Sequence, residues 1–315
     1  MRRILLAAVL AILVATLPLW PFANGYILAI VVRALLFIAL GQAWNVIAGI
    51  GGQLSLGHGV FFGIGAYGTG LLFTAFGLTP WLGLFAGIAA AVVVAVIMGA
   101  ITFHLRGIYF ALATIVISLG FERIVRFYAA LTGGDTGLAI PFRGNAPALM
   151  QWRGPTAFLY LSLVTVLAFY AITRLLLQSR LGFALQALRD DEEAAAAAGV
   201  DVYRAKMIGL ALSAAMTALA GTLYVQFYLS IDPGTAFGLF QSIQIQLPAL
   251  IGGLGTAGGP VIGGALMIAA SEGANALSSR YGLQGADVLV YGLLLLAVVM
   301  RAPQGLLGAL RAARA

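Results

Sequence analysis

Long apolar stretches recur from one end of this chain to the other, separated only by short polar interruptions. Of its 315 residues, 62% are hydrophobic and 9% charged, against about 45–50% apolar and about 25% charged in an ordinary soluble domain. So few polar side chains cannot cover a water-facing surface. Apolar blocks of this length read as membrane helices. The expected fold is an all-α, polytopic transmembrane bundle of about eight to ten helical segments.

The spans drawn on this basis are Ile4–Trp20, Tyr26–Ile50, His58–Phe76, Trp81–Phe103, Ile108–Phe121, Ala157–Thr173, Met207–Tyr228 and Val288–Met300. A Gly-interrupted region, Gln241–Ala270, lies between the last two. A crossing needs about 20 residues, so the Ile108 span is expected to run past Glu122 and Arg126, which are one turn apart and can pair. Arg33, early in the second span, is expected to snorkel to the surface. No linker divides the chain, so residues 1–315 are expected to form one transmembrane domain. Met1-Arg2-Arg3 before an apolar run also opens a signal peptide. Pro18-Leu19-Trp20-Pro21-Phe22-Ala23 lacks a small-x-small cleavage site, which favours a retained first helix.

The formal charge of +7 comes from basic residues at the ends of apolar runs, and a nucleic-acid partner is not expected. Arg2 and Arg3 precede the first span. Arg174, Arg180, Arg189, Arg204 and Lys206 flank the mid-chain loop 178–206, and Arg301, Arg311 and Arg314 follow the last span. Basic residues beside spans mark the cytoplasmic side, which would place both termini and the 178–206 loop in the cytoplasm. That count of crossings works only if Gln241–Ala270 enters and returns, as a re-entrant or discontinuous pair. Its centre, Ile251-Gly252-Gly253-Leu254-Gly255-Thr256-Ala257-Gly258-Gly259-Pro260, breaks a helix readily. Cysteine is absent and His58 and His104 are the only histidines, so no metal site is expected, and placement at the membrane boundary accounts for His104.

The stretch Ile50–Ile64 overlays Ile251–Ala265. Ile50, Gly51, Gly52, Gly57, Val60 and Gly63 fall on Ile251, Gly252, Gly253, Gly258, Val261 and Gly264, with Ser55 on Thr256. This suggests two structural repeats, each with an interrupted segment, an arrangement at whose interface transporters build their pathway.

Within 178–206, Asp191 is placed to cap a short helix, Glu192 and Glu193 complement its positive end, and five alanines from Ala194 and Ala195 onward propagate it. Gly199 can end it in a left-handed conformation. The result is a short rigid helix outside the membrane. A plain solvated linker is the alternative, although a linker does not require caps or a small-residue face against which another protein could lie.

Gly59 and Gly63 form a small-xxx-small pair, and Gly209, Ser213, Thr217 and Gly221 repeat every four residues. Helix packing explains both sets most simply, and lining a solute path is the alternative. Gln53, Ser55 and His58 are polar at a span edge, where such residues need partners and are functional candidates. With Gly252 and Gly253 of the second break they are the candidate path or gate. For His58 an interhelical hydrogen bond is the simpler role.

Glu193-Ala194-Ala195, with Gly199 four residues later, resembles the EAA loop of ABC importer permeases, which docks in a cleft of a cytoplasmic ATP-binding subunit. The usual Leu-Pro pair is replaced by Leu212-Ser213-Ala214-Ala215-Met216-Thr217-Ala218-Leu219-Ala220-Gly221, as in the branched-chain amino-acid permeases of that family. Gly52-Gln53-Leu54-Ser55-Leu56-Gly57-His58-Gly59-Val60-Phe61-Phe62-Gly63 is similar to the hallmark of their M-type subunit. Arg106–Ala111, Thr132–Gly137 and Pro303–Leu306 are similar to further stretches. The resemblance implies a non-catalytic subunit without cofactor, in the cytoplasmic membrane. Its implied partners are a homologous permease, two P-loop ATP-binding subunits, a periplasmic or surface solute-binding protein and membrane lipid. Leucine, isoleucine and valine are the implied solutes, with urea or short amides as the alternative. Lys206, the only lysine, is not in a phosphate-loop context, so ATP hydrolysis must come from elsewhere. An ion-coupled transporter would carry charges at mid-membrane; Glu122, Asp232, Glu272 and Asp287 fall near span ends instead. An intramembrane enzyme would need a nucleophile and base at depth, and two distant histidines do not supply them.

Overall fold

A computed structural model of the chain describes residues 2–281 and 305–312, together with Leu289, Gly292, Leu293, Leu296 and Met300. The expected span Val288–Met300, and with it Asp287, Arg301 and Arg314, lies largely outside the described residues, as does the side chain of Arg311.

Thirteen helices run in order from Arg2 to Tyr281. They are α1 (Arg2–Thr16), α2 (Gly25–Asn45), α3 (His58–Phe76), α4 (Pro80–Thr102), α5 (Ile108–Phe127), α6 (Ala129–Thr132), α7 (Thr156–Leu177), α8 (Arg180–Asp190), α9 (Glu192–Ala197), α10 (Val202–Tyr228), α11 (Pro233–Phe237), α12 (Leu239–Gly252) and α13 (Gly259–Tyr281). A further helix covers Gly305–Ala312. Among the described residues, seven helices are long and apolar enough to cross a membrane: α2 with its extension to Ile50, α3, α4, α5, α7, α10 and α13 to Ser279. The chain is an all-α, polytopic membrane bundle.

Several boundaries follow from capping chemistry. Asn24 accepts a hydrogen bond from Ile27 N at 2.9 Å and starts α2, Pro80 opens α4, and Gly77 closes α3 with φ +67°. The start expected at Met207 is corrected to Val202. Asp201 caps α10 through Arg204 N at 3.0 Å, and the five residues before Met207 form its first turn. Lys206, expected in a polar loop, is therefore a helical residue and is buried. Arg33, early in α2, pairs with Glu272 of α13 at 3.0 Å, because α13 packs along α2 and brings a carboxylate within reach. Helix α5 does run on to Phe127, and Glu122 meets Arg126 at 2.8 Å.

α10 lies at the centre. α3 packs along it, with Gly65 against Ala218 and Gly221 against the Phe62 backbone. The Thr69 and Thr222 hydroxyls meet at 2.9 Å. α4 returns beside both, with Gly87 on Gly65 and Gly99 on Met207. α4 and α5 turn Phe85 and Val116 outward, 66% and 68% exposed, as lipid-facing side chains do. A two-stranded antiparallel ribbon, β1 (Leu138–Ala139) with β2 (Ser230–Ile231), ties the α6–α7 connection to the end of α10. That end of the bundle is opposite the one carrying α8 and α9.

Both Gly-rich stretches are interruptions. α2 widens into a π-turn over Val46–Ile50, the chain is then non-helical, and α3 starts at His58. α12, about 21 Å long at 1.5 Å per residue and so too short to cross alone, stops at Gly252. After a second non-helical stretch α13 starts at Gly259. α13 then runs back along α12, with Gly263 against the Pro248 carbonyl. The overlay that pairs Ile50 with Ile251 also pairs the first residues of α3 and α13. It sets Gly52, φ +70°, on Gly253, φ +131°.

Candidate coupling and gating site

The short helix α9 is closed at both ends by its own sequence. Asp191 adopts extended geometry, and its Oδ1 accepts from Glu193 N at 2.9 Å and Ala194 N at 3.0 Å. At the other end, Val200 N donates to Ala195 O at 3.1 Å and Gly199 N to Ala196 O at 3.0 Å. With Gly199 at φ +86° these two bonds make a Schellman motif. Six residues that could not hold a helix in isolation are thereby fixed in one.

Three ion pairs pin α9 to the bundle, the longest of them Arg106 Nε to Glu192 at 4.0 Å. Glu192 receives Lys206 Nζ at 2.7 Å, and that lysine is 1% exposed. Glu193 receives Arg106 Nη1 at 2.6 Å from the α4–α5 connection. Hydrogen bonding to Glu193, then the charges of Glu192 and Glu193, hold the Arg106 guanidinium above its ordinary value. Ala195 faces inward and is buried, whereas Ala194, Ala196, Ala197 and Ala198 are exposed. The outer face of α9 is thus a strip of methyl groups that follows two anchored carboxylates at its start.

α8, which the sequence left undistinguished within the loop, connects α9 to the interrupted segments. Ser179 caps it through Gly182 N at 3.1 Å, and Leu185 packs against Gly51 and Gly209. At its end, Arg189 Nη1 donates to Gly49 O at 3.3 Å. A Cβ on Gly52 would lie 2.8 Å from Arg189 Cγ, and one on Gly255 would lie 2.7 Å from Arg189 Nη1. The two breaks also touch each other, since Asn45 donates to Thr256 O at 3.0 Å and accepts from Gly255 N at 2.9 Å. One arginine beside α9 therefore abuts both interruptions. Gly252 packs on the Gly259 backbone, and Gly253 lies under Gly305. Arg189 and Asn45 were missed in the sequence because neither belongs to a repeat or a span edge.

Ser55 and His58 sit at the start of α3, both without solvent exposure. His58 Nδ1 lies 3.0 Å from Ser55 Oγ and its Nε2 2.8 Å from Ser213 Oγ of α10. Ser213 donates its single proton to Ala43 O at 2.7 Å, so Nε2 must be the donor toward Ser213, and Nδ1 accepts from Ser55. Trp44 Nε1 donates to Ser55 O at 2.7 Å. Thr217 donates to Ser213 O at 2.8 Å. The first break is thus laced to α2 and α10 by directed bonds. Gln53, 9% exposed, uses its backbone N–H on Ile47 O at 3.1 Å. Gly59 lies against Ser242 Oγ and Ala236 O, Gly63 against the Phe237 ring.

Comparison with known proteins bears on the whole chain. The family described as branched-chain amino acid transport system / permease component matches residues 26–299. The chain is 31% identical to the high-affinity branched-chain amino acid transport system permease protein LivM of Salmonella typhimurium, over 97% of this chain and 75% of that protein. It is 29% identical to LivH of Escherichia coli K12, over 86% of this chain and 90% of that protein. BraD of Pseudomonas aeruginosa is 27% identical over 86% and 90%. No solved structure matches.

Proposed function

Because the chain belongs to the family of branched-chain amino acid transport permease components, we propose that it is the membrane subunit of an ATP-driven importer of leucine, isoleucine and valine. As a member of a transport-permease family the chain is not itself a catalyst, and the ATPase is a pair of separate P-loop subunits. A homologous permease completes the membrane pore, and a periplasmic or surface receptor delivers the solute. The complex lies in the cytoplasmic membrane, with the α8–α9 face and both termini inward. Residues 1–315 act as one permease domain, and 178–206 is its coupling loop.

What supports the reading above all is that α9 is capped, exposes alanine methyls and is continuous through α8 with both interrupted segments. Asp191, Glu192, Glu193, Ala194, Ala195 and Gly199 form the rod that the ATPase holds. When the ATPases close, α9 moves and α8 moves with it. Arg189 then carries the displacement to Gly49 in the π-turn and to Gly52 and Gly255, where non-helical backbone yields more easily than a helix. His58, bonded on both ring nitrogens, and Ser55 act as a gate brace rather than as solute ligands. Gln53, Gly252 and Gly253 belong to the moving breaks. Gly59, Gly63, Gly209, Ser213, Thr217 and Gly221 hold α3 and α10 in register with their neighbours.

Cysteine at Ala196 tests the side and the docking together. Labelling from the cytoplasm, blocked when the partner ATPase is bound, is the expected result. Labelling only from outside, or transport by the chain alone on an ion gradient, overturns the proposal.

A further inference from the structure

At the end of the bundle opposite α9, a cavity of about 240 Å³ opens between the starts of α2 and α7 and the end of α10. Three features of its lining are electropositive. Gly25, the first residue of α2, borders it, as does Pro155, the N-cap of α7, which no side chain caps. Two long helices therefore bring their positive ends to one cavity. Arg153 adds a full charge, and no Asp or Glu is among the described lining residues. At the floor lies Gln226 of α10, 1% exposed, whose Oε1 and Nε2 both lack a hydrogen-bond partner. An amide buried with neither atom satisfied is costly in the empty protein and is accounted for by a polar group arriving in the cavity. The remaining wall is aromatic. Trp152 and Phe158 meet edge to face at 5.2 Å, and Phe158 and Phe227 at 5.4 Å.

We propose that this cavity receives a small carboxylate with an apolar tail, with L-leucine as the representative probe, before the solute enters the bundle. The carboxylate lies toward Arg153 and the two helix starts, the polar head meets Gln226, and the tail lies on the Trp152–Phe158–Phe227 wall. A cavity of this size is below the range of about 300–1,000 Å³ that holds drug-sized ligands and suits a small solute. The proposal rests on the importer reading above, because it makes the cavity a receiving site on the outer face.

The test uses the complete permease complex in nanodiscs without nucleotide, and measures binding of radiolabelled L-leucine. Arg153→Gln and Gln226→Leu should each weaken binding by about tenfold or more. Gln226→Leu should leave the melting temperature unchanged or raised, since it removes only unsatisfied polar atoms, whereas a Gln226 that merely supports the fold would lower it. Leucinamide, which lacks the carboxylate, should compete about tenfold less well than leucine. Absence of leucine binding by the wild-type complex, equal affinity in both variants, or equal competition by leucinamide overturns the proposal. So does leucine binding that vanishes when phosphatidylglycerol replaces phosphatidylcholine in the disc, which would mark a lipid-headgroup site. ATP-driven leucine uptake by the same wild-type complex separates the two ideas: uptake without this binding removes the site alone, and no uptake of any amino acid removes the importer.

Discussion

Arg189 Nη1 donates to the carbonyl of Gly49 across 3.3 Å, and its methylenes fill the space beside Gly52 that a Cβ would occupy. The same guanidinium is bonded to Asp190 Oδ1 through Nε and Nη2 at 3.2 and 3.1 Å, so its direction is fixed from the α8 side. It joins the residue two positions before Asp191, the N-cap of α9, to the widened last turn of α2 through one hydrogen bond.

If Arg189 transmits motion, Arg189→Ala should lower leucine uptake per ATP hydrolysed while leaving complex assembly and ATPase rate intact. A hydrogen bond with a charged donor contributes about 1.5–3 kcal/mol, so coupling should fall by roughly ten- to a hundredfold. Arg189→Lys should recover little of it, because an ammonium cannot bond Asp190 and Gly49 at once with a planar fork. Parallel uptake and phosphate-release measurements in proteoliposomes read the ratio. Unchanged coupling in both variants removes Arg189 from the transmission path.

The two breaks should differ in tolerance to a methyl group. Gly253 has φ +131°, where side-chain-bearing residues are rarely found, and Gly52 has φ +70° with Arg189 alongside. Gly77 has a similar φ, +67°, with open space around it. A left-handed conformation alone costs an L-residue about 1–2 kcal/mol. The order of destabilisation by alanine should therefore be Gly253, then Gly52, then Gly77, read as melting temperatures in nanodiscs. A Gly77→Ala protein that melts lowest would contradict the geometry of both breaks.

How much of this was legible beforehand depends on the range of the interaction. The start of α3 at His58, the Asp191 cap, the left-handed Gly199 and the register between Ile50–Ile64 and Ile251–Ala265 are local matters. Residue type and spacing carry them. The pairing of Arg33 with Glu272 and the stacking of Arg189 on two distant breaks arise from tertiary packing, and nothing in the neighbouring residues announces them. Lys206 shows the boundary between the two cases. Its charge placed it in a loop, but Asp201 five residues earlier supplies a cap and Glu192 on α9 supplies a counter-charge, so the helix absorbs it.

That pair makes its own prediction. Glu192→Gln leaves the Lys206 ammonium, 1% exposed, without its partner, and the loss should be about 2 kcal/mol or more. Lys206→Met combined with Glu192→Gln removes both charges and should restore most of the stability, because the methionine can lie on Phe103, over whose ring Nζ now sits at 5.9 Å. A double-mutant cycle on melting temperature measures the difference. Additive losses would mean that the two side chains do not share an interaction.

The lacing of His58 gives the last expectation. Ser213 spends its one proton on Ala43 O, so it serves His58 only as an acceptor. Ser213→Ala therefore strands an imidazole N–H in a site without solvent, at a cost of about 1–3 kcal/mol. Ser213→Thr keeps the hydroxyl but adds a methyl in a fully enclosed position, so it should restore the bond and pay some overpacking strain. Ser55→Ala removes the donor to Nδ1 and the acceptor of a long 3.4 Å bond from Gly57 N, which is the milder loss because an acceptor without a partner is more readily tolerated than a donor and the Gly57 bond is weak. Melting temperatures should fall most for Ser213→Ala and less for Ser55→Ala. Solute leak through the nucleotide-free complex should rise in the same order if the bonds brace a gate. Equal melting with no leak in both variants would show that the hydroxyls are dispensable and that apolar packing alone holds the first break in place.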